Sequence, residues 1–293
     1  MQYIDSFSLA TEEAEAGYIL SFPPKLEMSC YADNVYPFKI FPQKQLMRLD
    51  FENVTMFYGS NGSGKSTLLN IIAEKLCLER SAPFNKTPFF EDYLKLCKYR
   101  LTFGKKPPSG SRIITSDDVF DYLLDLRAIN EGIDRRREEL FAEYSEAKSR
   151  QNFQLKSLED FEEFRRHNEA KRKTMSAYTS PRLVKEVRGK SNGESAFAYF
   201  TSQIKENALY LLDEPENSLS VKLQSELKCF IEDSARFYNC QFIISTHSPF
   251  LLSTRGAKIY DLDSVPARPR RWTELENIIA YYEFFESHRE EFR

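Results

Sequence analysis

The chain has 293 residues, of which 41% are hydrophobic, enough to bury the core of one large domain or two small ones. Its formal net charge of −3 predicts no global attraction to nucleic acid or to acidic lipid. The five cysteines form no C-x-x-C pair, which disfavours a zinc site or a disulfide framework. There is no secretory signal pattern and no run of about 18 apolar residues that could span a membrane. We therefore expect a cytoplasmic protein with no membrane partner.

The first 58 residues are predicted to form short strands and turns. Their clearest apolar segments are Tyr18–Phe22 (YILSF), Tyr36–Phe41 (YPFKIF) and Val54–Tyr58 (VTMFY). The third is β-branched and aromatic, which is typical of a buried strand. It leads directly into a glycine-rich loop.

This loop, residues 59–66, fits the Walker A pattern G-x-x-x-x-G-K-[ST] in full. It lies between the predicted strand and a helical pattern that runs to about Leu78, so backbone N–H groups at the helix N-terminus face an anion. We expect Lys65 to reach the β- and γ-phosphates as a catalytic residue and the Ser66 hydroxyl to bind Mg²⁺. The predicted nucleotide-binding residues of the loop are Gly59, Ser60, Asn61, Gly62, Ser63, Gly64, Lys65, Ser66 and Thr67.

A helical insertion is predicted after the Walker A region. Ser116-Asp117-Asp118 resembles a helix N-terminus, where carboxylates are favourable. Residues 119–180 contain one glycine and no proline, which indicates two long helices that turn near Ser149–Phe153. Two helices of about 28 residues would reach roughly 40 Å. We expect an N-terminal lobe (1–118), this insertion (119–182) and a C-terminal lobe (183–293).

Two apolar segments of the C-terminal lobe each end in polar residues. Residues 208–213 predict a buried strand that places Asp213 beside a bound metal and Glu214 where it can polarise an attacking water. Residues 241–249 repeat this design and contain His247, 34 residues after Asp213. That spacing leaves room for one helix and a return strand, so both strand ends should meet at one sheet edge. A lone histidine is usually structural, but here we predict a catalytic contact of His247 with the γ-phosphate.

The Walker A loop, the LLDEP strand and the STHSP segment resemble those of ABC-type ATPases, especially the soluble branch related to RecF and SMC proteins. The resemblance covers essentially the whole chain and extends to compact standalone ATPases with relatives in bacterial antiviral modules and DNA-repair machines. It implies an α/β P-loop NTPase fold, namely an ABC-type ATPase head with a mixed β-sheet flanked by helices and a helical-hairpin insertion. It also implies ATP and Mg²⁺ as cofactors.

In this family a signature motif, LSGGQ or S-x-G-E, lies about two dozen residues before the Walker B aspartate. Here the matching position is 22 residues before Asp213, and the nucleotide-binding residues implied there are Ser191, Asn192, Gly193 and Glu194. Residues 217–220 match the D-loop. Because the family's signature contacts nucleotide bound by another subunit, the resemblance implies a homodimer with composite ATP sites.

One departure from the family concerns the Q-loop. No glutamine follows Walker A at the family's distance, and the first glutamine after it is Gln151, inside the insertion. The role would then fall to Ser116, Asp117 or Asp118.

The resemblance favours an ATP-hydrolysing enzyme that acts as a nucleotide-dependent dimerising switch. It would control a nucleic-acid or protein effector partner, in antiviral defence or DNA repair. The alternatives are the energising subunit of a membrane transporter, a P-loop small-molecule kinase, and a nucleotide-binding module without turnover. The basic run at residues 171–190 leaves direct binding of DNA or RNA open.

Overall fold

The computed structural model describes residues 2–21, 35–102, 106–149, 161–183 and 191–292. The strands in these ranges are β1 (Ile4–Ser8), β2 (Arg48–Asp50), β3 (Val54–Tyr58), β4 (Lys98–Leu101), β5 (Arg112–Ile114), β6 (Leu209–Asp213), β7 (Gln241–Ser245), β8 (Lys258–Asp261) and β9 (Arg268–Arg270). The α-helices are α1 (Glu12–Leu20), α2 (Lys65–Lys75), α3 (Phe90–Leu96), α4 (Ser116–Ser149), α5 (Phe161–Arg172), α6 (Met175–Thr179), α7 (Asn192–Gln203), α8 (Val221–Phe237), α9 (Pro249–Leu252) and α10 (Glu276–Ser287).

Two sheets organise these elements. The larger has the order β5-β6-β7-β3-β8-β9, in which the first five strands are parallel and β9 is antiparallel. The smaller is antiparallel, with the order β2-β1-β4. The predicted α/β fold with a mixed sheet is confirmed. The three strands predicted around the site motifs are β3, β6 and β7, and they are neighbours.

The middle of the larger sheet is buried because helices cover it. Every residue of β3 and β7 is buried, as is typical of parallel strands with both faces covered. Helix α2 buries its apolar stripe in the same core, through Leu68, Leu69, Ile71 and Ile72. The helix that follows the Walker A loop is therefore fixed by core packing over several turns.

The side chain of Gln241, the first residue of β7, connects β1 to the larger sheet. Its Oε1 accepts hydrogen bonds from the backbone N–H groups of Tyr3 (2.7 Å) and Ile4 (2.9 Å). Its Nε2 donates to the carbonyls of Ile4 (2.9 Å) and Glu52 (3.1 Å). The amide is fully buried, and both of its ends are satisfied.

The prediction of strands and turns is wrong for residues 18–20, which belong to α1. Thr11 caps this helix by accepting a hydrogen bond from the N–H of Ala14, and acidic residues occupy the first turn. Tyr18 stacks on Phe38 with ring centroids 5.0 Å apart, so the apolar end of the helix packs on the segment at 36–41, which forms turns rather than a strand. Residue 22 lies outside the described ranges.

The chain divides into two compact units, Met1–Val119 with Asn192–Arg293, and Phe120–Ser191. Helix α4 has 34 residues, but the expected second long helix is divided into α5 and α6, since Thr174 caps a new helix by accepting the N–H of Ala177. The predicted turn at 149–153 falls almost entirely outside the described residues. Within the second unit, Tyr144 and Tyr178 pack in a small buried cluster with ring centroids 5.4 Å apart. Within the described ranges, no helix combines the length and the hydrophobicity needed to cross a bilayer.

Candidate nucleotide site

The Walker A loop has the backbone that its glycines predict. Gly62 and Gly64 have φ angles of +81° and +95°, a region in which residues with a Cβ are strained. A Cβ at Gly59 would lie only 2.5 Å from the Oγ of Ser63. Helix α2 begins at Lys65, directly after the loop. The loop therefore wraps tightly at the N-terminus of a buried helix, which is the arrangement that binds phosphate.

Lys65 is held inside the loop and is only 4% exposed. Its Nζ donates hydrogen bonds to the carbonyls of Gly59 (2.7 Å) and Ser60 (3.2 Å). The same ammonium group lies 3.5 Å from Oε1 of Glu214. The lysine predicted to contact phosphate and the predicted catalytic glutamate are therefore neighbours.

Ser66 and Asp213, the two predicted metal ligands, are in direct contact. The Ser66 hydroxyl donates to Oδ1 of Asp213 at 3.0 Å, and the hydroxyl of Ser245 donates to the same oxygen. Burial raises the pKa of Asp213, and these hydrogen bonds offset part of that rise. A half-buried carboxylate beside a hydroxyl offers hard oxygen donors, and Mg²⁺ is bound by one or two carboxylates together with substrate phosphates. These residues therefore fit the predicted ion.

Glu214 is held in a left-handed backbone conformation, with φ of +47°. Its backbone N–H donates to the carbonyl of Ser245 at 3.0 Å, and its Oε2 accepts a hydrogen bond from Nδ2 of Asn217 at 3.1 Å. The other oxygen, Oε1, faces Lys65 and lies 3.9 Å from Nδ1 of His247. One carboxylate oxygen is thus anchored and the other points into the site.

His247 reaches the site because β6 and β7 are adjacent and parallel. Asp213 is the register partner of Ser245, and His247 follows two residues later. The predicted meeting of the two strand ends is therefore confirmed. The side chain of His247 is 45% exposed, which leaves the ring accessible to a ligand. Its contact with a γ-phosphate remains a prediction.

Glu216, for which the sequence predicts no role, organises the loop that carries His247. Its Oε1 accepts hydrogen bonds from the Thr246 hydroxyl (2.7 Å) and from the backbone N–H groups of His247 (2.8 Å) and Ser248 (3.2 Å). Burial raises the pKa of Glu216, and its Oε2 has no hydrogen-bond partner among the described residues. The only local signal was a second glutamate two residues after Glu214.

Asp263 is a second residue that the sequence analysis missed. It follows β8, and its carboxylate accepts hydrogen bonds from the backbone N–H (2.7 Å) and the hydroxyl (2.9 Å) of Ser60. The start of the Walker A loop is thereby tied to the loop after the neighbouring strand. The two residues are 203 positions apart, so no local pattern could have indicated the contact.

The signature segment lies at a helix N-terminus, since α7 begins at Asn192 and Glu194 lies in its first turn. A Cβ at Gly193 would come within 3.1 Å of the Ser218 carbonyl oxygen, a tight contact, so glycine favours the close approach of α7 to residues 217–220. The predicted contact of residues 191–194 with nucleotide on a second subunit remains a prediction.

The three candidates for the Q-loop role differ. The buried carboxylate of Asp118 accepts hydrogen bonds from the N–H of Ala82 (2.7 Å) and from the N–H (2.7 Å) and hydroxyl (2.9 Å) of Thr115, so it is engaged within the protein. Ser116 and Asp117 instead line a cavity of about 480 Å³. The site residues that line the same cavity are Ser66, Thr67, Asp213 and Glu214.

Comparisons with known proteins agree with this description at a coarse level. A family model described as "AAA domain, putative AbiEii toxin, Type IV TA system" matches residues 111–253, just under half of the chain. The matched segment includes the signature, the Asp213–Glu214 pair and His247 but begins after the Walker A loop. No curated protein matches the chain.

Several solved structures resemble the chain distantly. An Smc head domain with an extended coiled coil from Pyrococcus furiosus, bound to the C-terminal domain of ScpA, is 16% identical (TM-score 0.42; 98% of this chain and 100% of that chain). An Smc head bound to the C-winged helix domain of ScpA is 17% identical (0.39; 76% and 92%). A dimeric ATP-binding cassette with ADP and Pi is 15% identical (0.37; 78% and 90%). Likeness at this distance does not extend to activity or partners.

The Walker A geometry and the family match together support a nucleotide-binding P-loop ATPase.

Proposed function

We propose that the protein binds and hydrolyses ATP with Mg²⁺ and that ATP switches it into an active homodimer. The observation that carries the proposal is the convergence of four groups at one sheet edge. These groups are the ammonium of Lys65, the Ser66–Asp213 pair, the carboxylate of Glu214 and the ring of His247.

Each of these residues has a role that follows from its surroundings. The N–H groups of the Walker A loop and Lys65 bind the phosphates, and Ser66 and Asp213 would hold the metal ion. When bound, Mg²⁺ neutralises charge that develops on the phosphate oxygens. Glu214 orients the attacking water and accepts its proton, since one of its oxygens is free of the anchoring bond to Asn217. His247 donates a hydrogen bond to the γ-phosphate.

Dimerisation completes the site in this proposal. Residues 191–194 of one subunit contact the nucleotide of the other, and residues 217–220 line the same interface. Such an arrangement is isologous, because the same two surfaces meet twice across a two-fold axis. ATP favours the dimer through contacts that ADP cannot make.

The dimer would regulate a partner in the cytoplasm, either a protein effector or a nucleic acid. The description of the matched family names a toxin of a toxin–antitoxin system. Antiviral defence is one setting that the sequence resemblance implies. DNA repair is the other setting that the sequence resemblance implies.

Light scattering on the Glu214→Gln variant tests the switch. We expect a dimer with Mg²⁺-ATP and a monomer with ADP or without nucleotide. Adding Ser191→Arg should block the dimer while leaving ATP affinity within about threefold, because an arginine cannot fit against nucleotide at that interface. The matched control is Ser202→Arg near the other end of α7, where the side chain is exposed. If Ser191→Arg assembles and hydrolyses ATP normally, the composite site does not exist.

A further inference from the structure

Helix α10 carries large apolar side chains into solvent. Leu275 and Ile278 are buried at its start, but every residue from Ile279 to Ser287 is exposed. Tyr282 is 68% exposed, and Phe292, in the short 3₁₀ helix that follows, is 72% exposed. We call the following residues the aromatic surface: Ile279, Tyr281, Tyr282, Phe284, Phe285 and Phe292.

A helix of this composition is not expected to stand in water alone. Twelve residues are marginal for an isolated helix, and packing of an apolar face normally supplies its stability. At 3.6 residues per turn, the apolar positions of α10 point in directions all round its axis. Contiguous exposed apolar patches mark interaction sites, and Tyr and Phe are enriched in the cores of protein interfaces. The aromatic surface therefore has the character of half an interface.

A cavity of about 480 Å³ lies beside α10 and is lined mainly by acidic side chains. Of the residues that the structure describes, the one basic residue in its lining is Arg270, whose Nε is paired with Oδ2 of Asp261 at 3.3 Å. Glu276 and Glu283 have no hydrogen-bond or ion-pair partner among the described residues. The acidic residues that line the cavity are Asp261, Asp263, Glu274, Glu276 and Glu283.

We propose that α10 and this cavity form the docking surface for a protein partner that presents a basic, apolar segment. A lysine or arginine of the segment enters the cavity between Glu276 and Glu283, and its apolar side chains cover the aromatic surface. Charge complementarity selects this occupant: residues 274–291 contain six glutamates and a single arginine. The same charge repels the phosphates of a nucleic acid. The inference deepens the proposed switch by naming the face on which its protein partner acts.

Three hydrogen bonds join the docking surface to the nucleotide site. The N–H of Asn277, in the first turn of α10, donates to the hydroxyl of Tyr58 at 3.2 Å, and Tyr58 directly precedes the Walker A loop. Asp263, in the cavity wall, accepts both hydrogen bonds from Ser60. A partner bound here would therefore lie beside Asn277 and Asp263, which are hydrogen-bonded to Tyr58 and Ser60.

Selection from a displayed library of random 12-residue peptides on the immobilised full chain tests the docking surface. No nucleotide is added, so a failure of the ATPase proposal leaves this result unaffected. We expect enriched peptides to combine Lys or Arg with Leu, Phe or Trp. The affinity of the best peptide, synthesised and titrated, should fall at least tenfold with Glu283→Lys and, separately, with Tyr282→Ser.

The matched controls lie just before β6 and β7, at the strand ends opposite to those that carry Asp213 and His247. Glu206→Lys and Tyr238→Ser change an exposed glutamate and an exposed tyrosine there and should leave the affinity within twofold. Three outcomes would overturn the proposal. They are enrichment of acidic or purely polar peptides, equal affinity for the Glu283→Lys variant, and displacement of the peptide by a 20-nucleotide single-stranded DNA. A nucleotide-free dimer that Tyr282→Ser dissociates would also overturn it, since the occupant would then be a second copy.

Discussion

Gln241 and Asp213 lie at opposite ends of two neighbouring parallel strands, β7 and β6, and their polar groups have different surroundings. Gln241 begins β7, and its amide makes four hydrogen bonds to backbone groups of three residues. Asp213 ends β6, and despite hydrogen bonds from Ser66 and Ser245 its pKa is raised by burial. The amide at the start of β7 is therefore fully satisfied by hydrogen bonds within the protein. The carboxylate at the end of β6 is half-buried, and its charged form is favoured by Lys65 and would be favoured further by a bound cation.

The difference indicates that the start of β7 contributes stability and that the end of β6 contributes function. Near Asp213, Glu214 has a left-handed backbone and Glu216 has a buried oxygen without a hydrogen-bond partner among the described residues. Unfavourable features of this kind cluster at functional sites. Substitutions at the start of β7 should therefore reduce stability. Substitutions at the end of β6 should reduce function and can increase stability.

Substitution of Gln241 should have the largest effect on the free energy of unfolding. Gln241→Leu leaves the N–H groups of Tyr3 and Ile4 and the carbonyl of Glu52 without their partner inside the protein. We expect the free energy of unfolding to fall by about 3 kcal/mol, because buried polar groups left unpaired are costly. Urea denaturation followed by circular dichroism measures it. The control Gln43→Leu changes an exposed residue and should stay within about 0.5 kcal/mol of wild type. Equal stability of Gln241→Leu and wild type would show that the hydrogen bonds at the start of β7 do not stabilise the fold.

A smaller effect is expected from the contact that positions the Walker A loop. Asp263→Ala removes the acceptor of both Ser60 hydrogen bonds, so the loop must be ordered at the cost of binding energy. We expect ATP to bind about tenfold more weakly, which corresponds to about 1.4 kcal/mol. Titration with a fluorescent ATP analogue measures this, with Asp233→Ala on exposed α8 surface as control. Unchanged affinity would show that Asp263 has no positioning role.

The smallest effect is expected in the pH dependence of stability, through Asp213. Because the pKa of Asp213 is raised in the folded state, the folded protein binds more protons than the unfolded chain above the ordinary pKa of 3.8. Stability from this group is therefore present below that pH and is lost as pH rises through the folded pKa. Without nucleotide, Asp213→Asn should melt a few degrees above wild type at pH 7, and the difference should shrink toward pH 4. The control Asp233→Asn should show no such trend, and a variant less stable than wild type at pH 7 would contradict the account.

The sequence predicted the parts of the site that local patterns encode. The strands at 54–58, 209–213 and 241–245 are apolar runs that end in polar motifs, and each was placed correctly. The sequence did not indicate Asp263, since its contact with Ser60 depends on the pairing of β8 with β3. Helix α1 is not predicted although Thr11 and three glutamates mark its start, because the apolar YILSF segment that ends it fits the predicted strands and turns. The division of the second insertion helix depends on one capping threonine, Thr174, within a helical composition.

We propose that Glu214 activates water at an ATP site formed by Lys65, the Ser66–Asp213 pair and His247. Phosphate release with saturating Mg²⁺-ATP, compared between wild type and Glu214→Gln, tests it most directly. We expect turnover to fall by about 10²- to 10⁴-fold, the usual contribution of a general base, with ATP affinity within a few fold of wild type. Glu226→Gln, on exposed α8 surface, should hydrolyse ATP at the wild-type rate. Hydrolysis by Glu214→Gln at the wild-type rate would contradict the assignment.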